Sequence, residues 1–113
     1  MRDDRLRIAD ILEACALVLS FVSQKNRSDL GKDRLLQSGV LHQLYVIGEA
    51  ANRISTELKA RYPSVPWQVL YGFRNYIAHE YFSLDLDIVW QTVIRDIPEL
   101  QRLVREISER EFP

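Results

Sequence analysis

The 113 residues predict an all-α fold, a bundle of four or five helices in one domain spanning residues 1–113. Three observations carry that expectation. Apolar residues recur at three-and-four spacing through every long stretch, no run of alternating residues outweighs these stripes, and proline-rich or polar runs separate them.

From Asp3 to Val22, the residues Ile8, Ile11, Leu12, Cys15, Val18, Leu19 and Val22 fall on one helical face and predict the first helix. The polar run SQKNRSDLGKD then predicts a turn, with Ser28, Asp29 and Asp33 as candidate N-caps. Leu41, Leu44, Gly48, Ala51, Ile54 and Leu58 predict a second helix that runs to about Ala60, where RYPSVP stops it. Such a helix of about 28 residues would reach about 40 Å, more than a compact unit of this size needs, so part of it is expected to serve a second subunit. Gly48, Ala50 and Ala51 permit close backbone approach there, either to another subunit or within the chain.

Pro66 suits a first helical position, and Trp67, Leu70, Phe73 and Ile77 predict the third helix. Ser83 and Asp85 are candidate caps for a fourth, whose stripe is Ile88, Val89, Val93, Ile97, Leu100, Val104 and Ile107. Pro98 interrupts it, which predicts a kink or a division into two shorter helices.

Composition narrows the function classes. Residues AVILMFWYC make up 47% and DEKR 27%, the balance of a folded globular protein. Fifteen basic and sixteen acidic residues give a formal charge of -1, so any nucleic-acid partner must meet a local patch. A single cysteine, Cys15, excludes an intrachain disulfide and a cysteine-based zinc cage, which suits the cytoplasm. Its neighbours in ILEACALVLSFV are apolar and mark it as core. That segment carries Glu13 and falls short of the roughly 20 residues that span a bilayer, so no membrane partner is expected. No small-residue cleavage site follows MRDDRLR, so no signal peptide is expected either.

The third helix leads into RNYIAHEY, residues 74–81, where chemically capable side chains crowd together. Histidine exchanges a proton near neutral pH, and arginine grips two phosphate oxygens at once. Together they suit phosphodiester cleavage in which a ribose 2′-OH attacks its own phosphate, a chemistry open only to RNA and independent of metal. Arg74 and His79, five residues apart, sit about 140° from each other on a regular helix. Either the helix ends near His79, or a two-fold partner brings a second copy of the motif to the same cleft. Spacing alone more readily describes a surface ion pair at a helix end. Asn75 shares a face with His79 and is a candidate to position phosphate or to order that histidine. HEYFS has Ser83 where a zinc motif of the H-E-x-x-H type has its second histidine, so no metal site is expected. His42 reads as a core or surface residue, Glu80 as solvated charge, and Glu49 as either a cleft residue or a surface one. No Gly-rich phosphate loop and no G-x-S-x-G elbow is present.

IGEAANRIS, then YPSVPW, then RNYIAHEYF and VW together resemble the HepT family of HEPN-domain proteins over nearly the whole chain. The resemblance implies a HEPN-like helical homodimer and a metal-independent RNase without cofactors. It would be the toxin of a type VII-like toxin–antitoxin pair, with RNA, tRNA included, as substrate and an MntA-like minimal nucleotidyltransferase as antitoxin. Carried over by motif, Arg74 and His79 become the catalytic pair, Asn75 a supporting residue, and Tyr81 the site of AMPylation. Bulky, anionic AMP on Tyr81 would then block the cleft and repel a phosphate backbone. The alternative, from another class, is a non-catalytic helical dimer that binds, or is modified by, a nucleotidyltransferase.

Overall fold

The computed structural model describes residues 2–113. Seven α-helices follow in order: α1 (Arg2–Val22), α2 (Arg27–Lys32), α3 (Arg34–Arg53), α4 (Thr56–Arg61), α5 (Trp67–His79), α6 (Leu86–Gln91) and α7 (Ile97–Glu111). A 3-10 turn, Tyr81–Ser83, precedes α6, and a π-helical stretch, Thr92–Asp96, joins α6 to α7. No strand occurs among the described residues. The bundle therefore has four long helical bodies, α1, α3, α5 and the α6–α7 rod, with α2 and α4 as short connectors.

Helix α1 presents Ile8, Ile11, Ala14, Cys15, Val18 and Val22 to the core, close to the expected stripe, and packs against both α3 and α7. Helix α3 buries Leu36, Val40, Leu41, Leu44, Ile47, Gly48, Ala50 and Ala51, and carries α5 on another side. These buried side chains join those of α4, α5 and α7 in one contiguous cluster. Fully burying one such Leu, Ile or Val contributes about 1.5–3 kcal/mol.

The expected second helix is divided. Helix α3 ends at Arg53, and Ile54 turns extended (φ -66°, ψ 142°) before Ser55 caps α4 by accepting from the Leu58 N–H at 3.2 Å. The cause lies on α1. Asp4, only 3% exposed, accepts from the Ser55 N–H at 2.8 Å and from its hydroxyl at 2.6 Å. A buried carboxylate needs such donors, and Ser55 supplies them only by leaving the helical ladder. The shortened α3 spans about 30 Å, which the bundle accommodates without a second subunit.

Local chemistry also shapes the other joints. The polar run expected to be a turn holds α2, opened by an Asn26–Asp29 capping box, while Asp33 caps α3 through the Leu36 N–H. Pro66 stands one place before α5, at its cap, and the Trp67 indole donates to the Tyr62 carbonyl at 3.0 Å. Asp85 caps α6 as expected. The discontinuity before Pro98 is the π stretch, in which the Ile97 N–H donates to the Thr92 carbonyl five residues back. Proline lacks an N–H and crowds the carbonyl four residues earlier, and a widened turn relieves both demands. Ile88, expected in the core stripe, is 48% exposed, because the stripe through α6 is centred on Val89.

Candidate functional site

Helix α5 stays regular to its last residue, His79, and ends where Glu80 leaves helical geometry (φ -121°, ψ 28°). The following turn is held by the Glu80 carboxylate, which accepts from the Ser83 hydroxyl at 3.0 Å, and by the Tyr76 hydroxyl, which accepts from the Asp85 N–H at 2.8 Å. Glu80 thus shapes the chain beyond the helix. His79 is exposed and makes no side-chain hydrogen bond among the described residues.

Arg74 lies on the opposite side of α5, against α3. Its Nη2 donates to the Tyr45 hydroxyl at 2.7 Å, its Nη1 to Asn75 Oδ1 at 2.8 Å, and its Nε lies 3.1 Å from Glu49 Oε1. The Nε–Glu49 contact is an ion pair without hydrogen-bond alignment, since Nε has no properly directed acceptor. The guanidinium also sits 4.7 Å from the Tyr45 ring centroid and 5.6 Å from that of Tyr71, within cation–π range. With its side chain 20% exposed, Arg74 is held yet reachable, and each terminal nitrogen keeps a second N–H for another acceptor.

Gly48 explains how the arginine reaches that position. A Cβ at residue 48 would stand 2.3 Å from Arg74 Cβ and 2.7 Å from the Leu70 carbonyl oxygen. The bare glycine lets α5 lie directly on α3, so the close approach open in the sequence is one within the chain. Glu49, one residue on, then meets Arg74, and its other oxygen lies 3.4 Å from Arg53 Nη2.

The four expected site residues therefore fall in three places: Arg74 with Asn75 against α3, His79 at the helix end, and Tyr81 in the turn beyond it. Asn75 braces Arg74 rather than ordering His79, and no hydrogen bond joins Arg74 to His79. Tyr81, 45% exposed, borders a hollow of about 290 Å³ between α3 and the end of α5, whose polar lining is Ser38, His42, Tyr45 and Tyr81. Beside it Phe82 is completely exposed and packs edge-on against Tyr81, with ring centroids 5.5 Å apart.

Sequence reasoning does not place Tyr45 among the expected site residues, reads His42 as a core or surface residue, and does not single out Phe82. A signal for the first two existed, because Ser38, His42, Tyr45 and Glu49 recur at helical spacing opposite the apolar stripe of α3. No group of three or more His, Cys, Asp or Glu side chains suited to a metal occurs among the described residues. No helix among them is long and apolar enough to cross a membrane.

Comparison with known proteins gives the fold and site a context. The family described as Ribonuclease HepT-like matches residues 11–107. The chain is 32% identical over 111 residues to a Caldanaerobacter subterraneus protein named "Putative RNase", covering 98% of this chain and 99% of that one. It is 34% identical over 94 residues to a "Probable ribonuclease HepT" of Thermococcus cleftensis, covering 83% and 86% of the two chains. A Methanocaldococcus jannaschii protein, also named "Putative RNase", is 30% identical over 103 residues, covering 91% and 94%. No solved structure matches significantly.

Proposed function

The chain belongs to the HepT-like ribonuclease family, and from that premise we propose that it is a metal-independent RNase toxin acting as a homodimer. In this reading Arg74 stabilises the charge that builds on the scissile phosphate. His79 removes the proton of the adjacent 2′-OH, the 2′-oxygen bonds to phosphorus, and the bond to the 5′-oxygen breaks as that oxygen takes a proton from water and leaves as a 5′-hydroxyl.

The observation that carries the reading is the division of the pair. Arg74 is turned into α3 while His79 stands at a free helix end, so one copy leaves each group with an unfilled role. A second copy related by a two-fold axis would bring its own His79 towards the first copy's Arg74. Gln68, Gly72, Asn75 and His79 share the outward face of α5 by helical register, and a Cβ at Gly72 would meet nothing within 4 Å. Such a face suits close approach of two α5 helices.

Tyr81 supports the proposed control. Its exposed position beside the motif leaves the phenol open to an MntA-like nucleotidyltransferase, which would join it to the α-phosphate of ATP with loss of pyrophosphate. The adduct places negative charge where RNA phosphate would approach. The engagement of Arg74 by Glu49 favours the second reading, a non-catalytic dimer modified at Tyr81, because a carboxylate competes with phosphate for the guanidinium.

Cleavage of RNA by the purified chain separates the two. Arg74→Ala and His79→Ala are each expected to lower the rate by about 10² to 10⁴, with EDTA without effect. Wild-type rates in either variant would sink the assigned roles, loss of activity in EDTA would sink metal independence, and no cleavage by wild type would leave the binding reading. A monomer in sedimentation at micromolar concentration would remove the composite site. After co-expression with the partner and ATP, the added AMP mass should appear on the peptide containing Tyr81 and be absent from Tyr81→Phe.

A further inference from the structure

We propose that the hollow between α3 and the end of α5 is a nucleotide subsite adjoining the scissile phosphate, and that His42 is its polar contact to the RNA strand. The inference rests on the RNase reading and extends it to substrate recognition. Tyr45 connects Arg74 with the hollow: its hydroxyl accepts from Arg74 Nη2 at 2.7 Å, and the same side chain lines the hollow. A phosphate gripped by Arg74 therefore has this hollow as its neighbour.

The lining suits one nucleotide. Leu41, Ile77 and Ala78 give it an apolar floor, and Tyr45 and Tyr81 give it aromatic walls. Phe82, fully exposed against Tyr81, extends the aromatic surface outward. Bases stack on such surfaces with little sequence preference. A volume of about 290 Å³ lies at the lower end of small-ligand clefts, enough for a single base and part of its ribose.

His42 is placed for the backbone. It stands one helical turn from Tyr45, at a Cβ separation of about 5–6 Å, is exposed, and makes no side-chain hydrogen bond among the described residues. Its imidazole is free to donate to a phosphate or ribose oxygen. By helical register Arg34, Ser38, His42, Tyr45, Glu49 and Arg53 fall within about 100° of one another on α3. An arginine thus stands at each end of the face, Arg34 without an acidic partner among the described residues and Arg53 3.4 Å from Glu49 on the same face. The larger groove, about 530 Å³ between α5 and the α6–α7 rod, is lined by Asp96 and by Glu99, whose charge is matched by its partner Arg102, and is the poorer place for a phosphate backbone.

The test uses full-length wild type and the variants His42→Ala and His42→Gln, with circular dichroism to confirm equal folding. Binding is read by fluorescence anisotropy on a short RNA carrying a 2′-deoxy nucleotide at the cleavage position, which binds without reacting. His42→Ala is expected to weaken binding roughly tenfold, with His42→Gln between it and wild type. On the all-ribose oligonucleotide the loss should fall in KM rather than kcat. Equal Kd values for wild type and His42→Ala overturn the subsite. A drop in kcat with loss of one limb of the pH–rate profile and unchanged Kd also overturns it, since that marks proton transfer rather than binding. Should wild type fail to cut the all-ribose strand, the RNase reading fails, and the anisotropy comparison still decides whether a nucleotide occupies the hollow.

Discussion

Replacing Gly48 by alanine tests the contact that sets Arg74 in place. In an ordinary helix interior the change would stabilise by about 1 kcal/mol, because glycine carries the larger entropy loss on folding. Here the added methyl would stand 2.3 Å from Arg74 Cβ and 2.7 Å from a backbone oxygen of Leu70. Favourable carbon contacts begin near 3.5 Å, so α5 must retreat by about 1 Å or more. Overpacking of this kind costs about 1–3 kcal/mol, and a clash with backbone belongs at the upper end. The balance is a net loss of about 2 kcal/mol, which lowers Tm by on the order of 10 °C in a chain of this size.

The same retreat draws the Arg74 guanidinium away from Tyr45 and Glu49. A misplacement of about 1 Å can cost about 10²-fold in rate, so cleavage should fall much further than folding. Gly72→Ala is the control for the stability effect alone, since its new methyl meets nothing within 4 Å in its own chain but lies on the face proposed to meet a second α5; at equal association state it should raise stability by up to about 1 kcal/mol. Urea denaturation and RNA cleavage read both effects. A Gly48→Ala protein as stable and as active as wild type would refute the close-approach argument.

Tyr45→Phe keeps the ring beside the guanidinium but removes the oxygen that accepts from Arg74 Nη2, so cleavage should fall by roughly tenfold with the fold intact. An unchanged rate would show that the hydroxyl does not hold the arginine. Burial pushes the Cys15 thiol up to about 12, and its side chain is fully enclosed, so labelling by a thiol reagent at pH 8 should follow unfolding rather than thiolate formation in the native protein. The unfolded thiol titrates near 9.0, so this contribution is complete below that pH and is lost as pH rises towards 12; rapid labelling of native protein would contradict it. Hydrogen bonds from Tyr62 and Arg61 hold the Glu111 carboxyl below its ordinary 4.5, stabilising the fold above that pH and less as pH falls through the lowered value. In an NMR titration Tyr62→Phe should move the Glu111 midpoint upward, and an unmoved midpoint would exclude the bond.

The sequence by itself determined the helical character and most of the core, although Leu30, Leu36, Val40, Ile47 and Val65 lie outside the expected stripes. Stripes such as Ile8, Ile11, Cys15 and Val18, or Val93, Ile97, Leu100 and Val104, are set by residues three and four apart, and helical periodicity is a local property. It also located the motif of Arg74, Asn75, His79 and Tyr81 and the family resemblance, both of which reside in residue identity and spacing.

Only the tertiary structure decided where the second helix breaks and which groups attend the arginine. The break at Ser55 depends on Asp4, 51 positions earlier, whose burial is a product of packing. Tyr45 meets Arg74 across 29 positions, and it does so because Gly48 and Leu70 let two helices touch at one point. Periodicity tells which face of a helix is buried, but not the rotation and height at which a neighbouring helix rests on it. That height, set by a missing methyl at Gly48, turns Arg74 towards α3 and leaves His79 facing solvent.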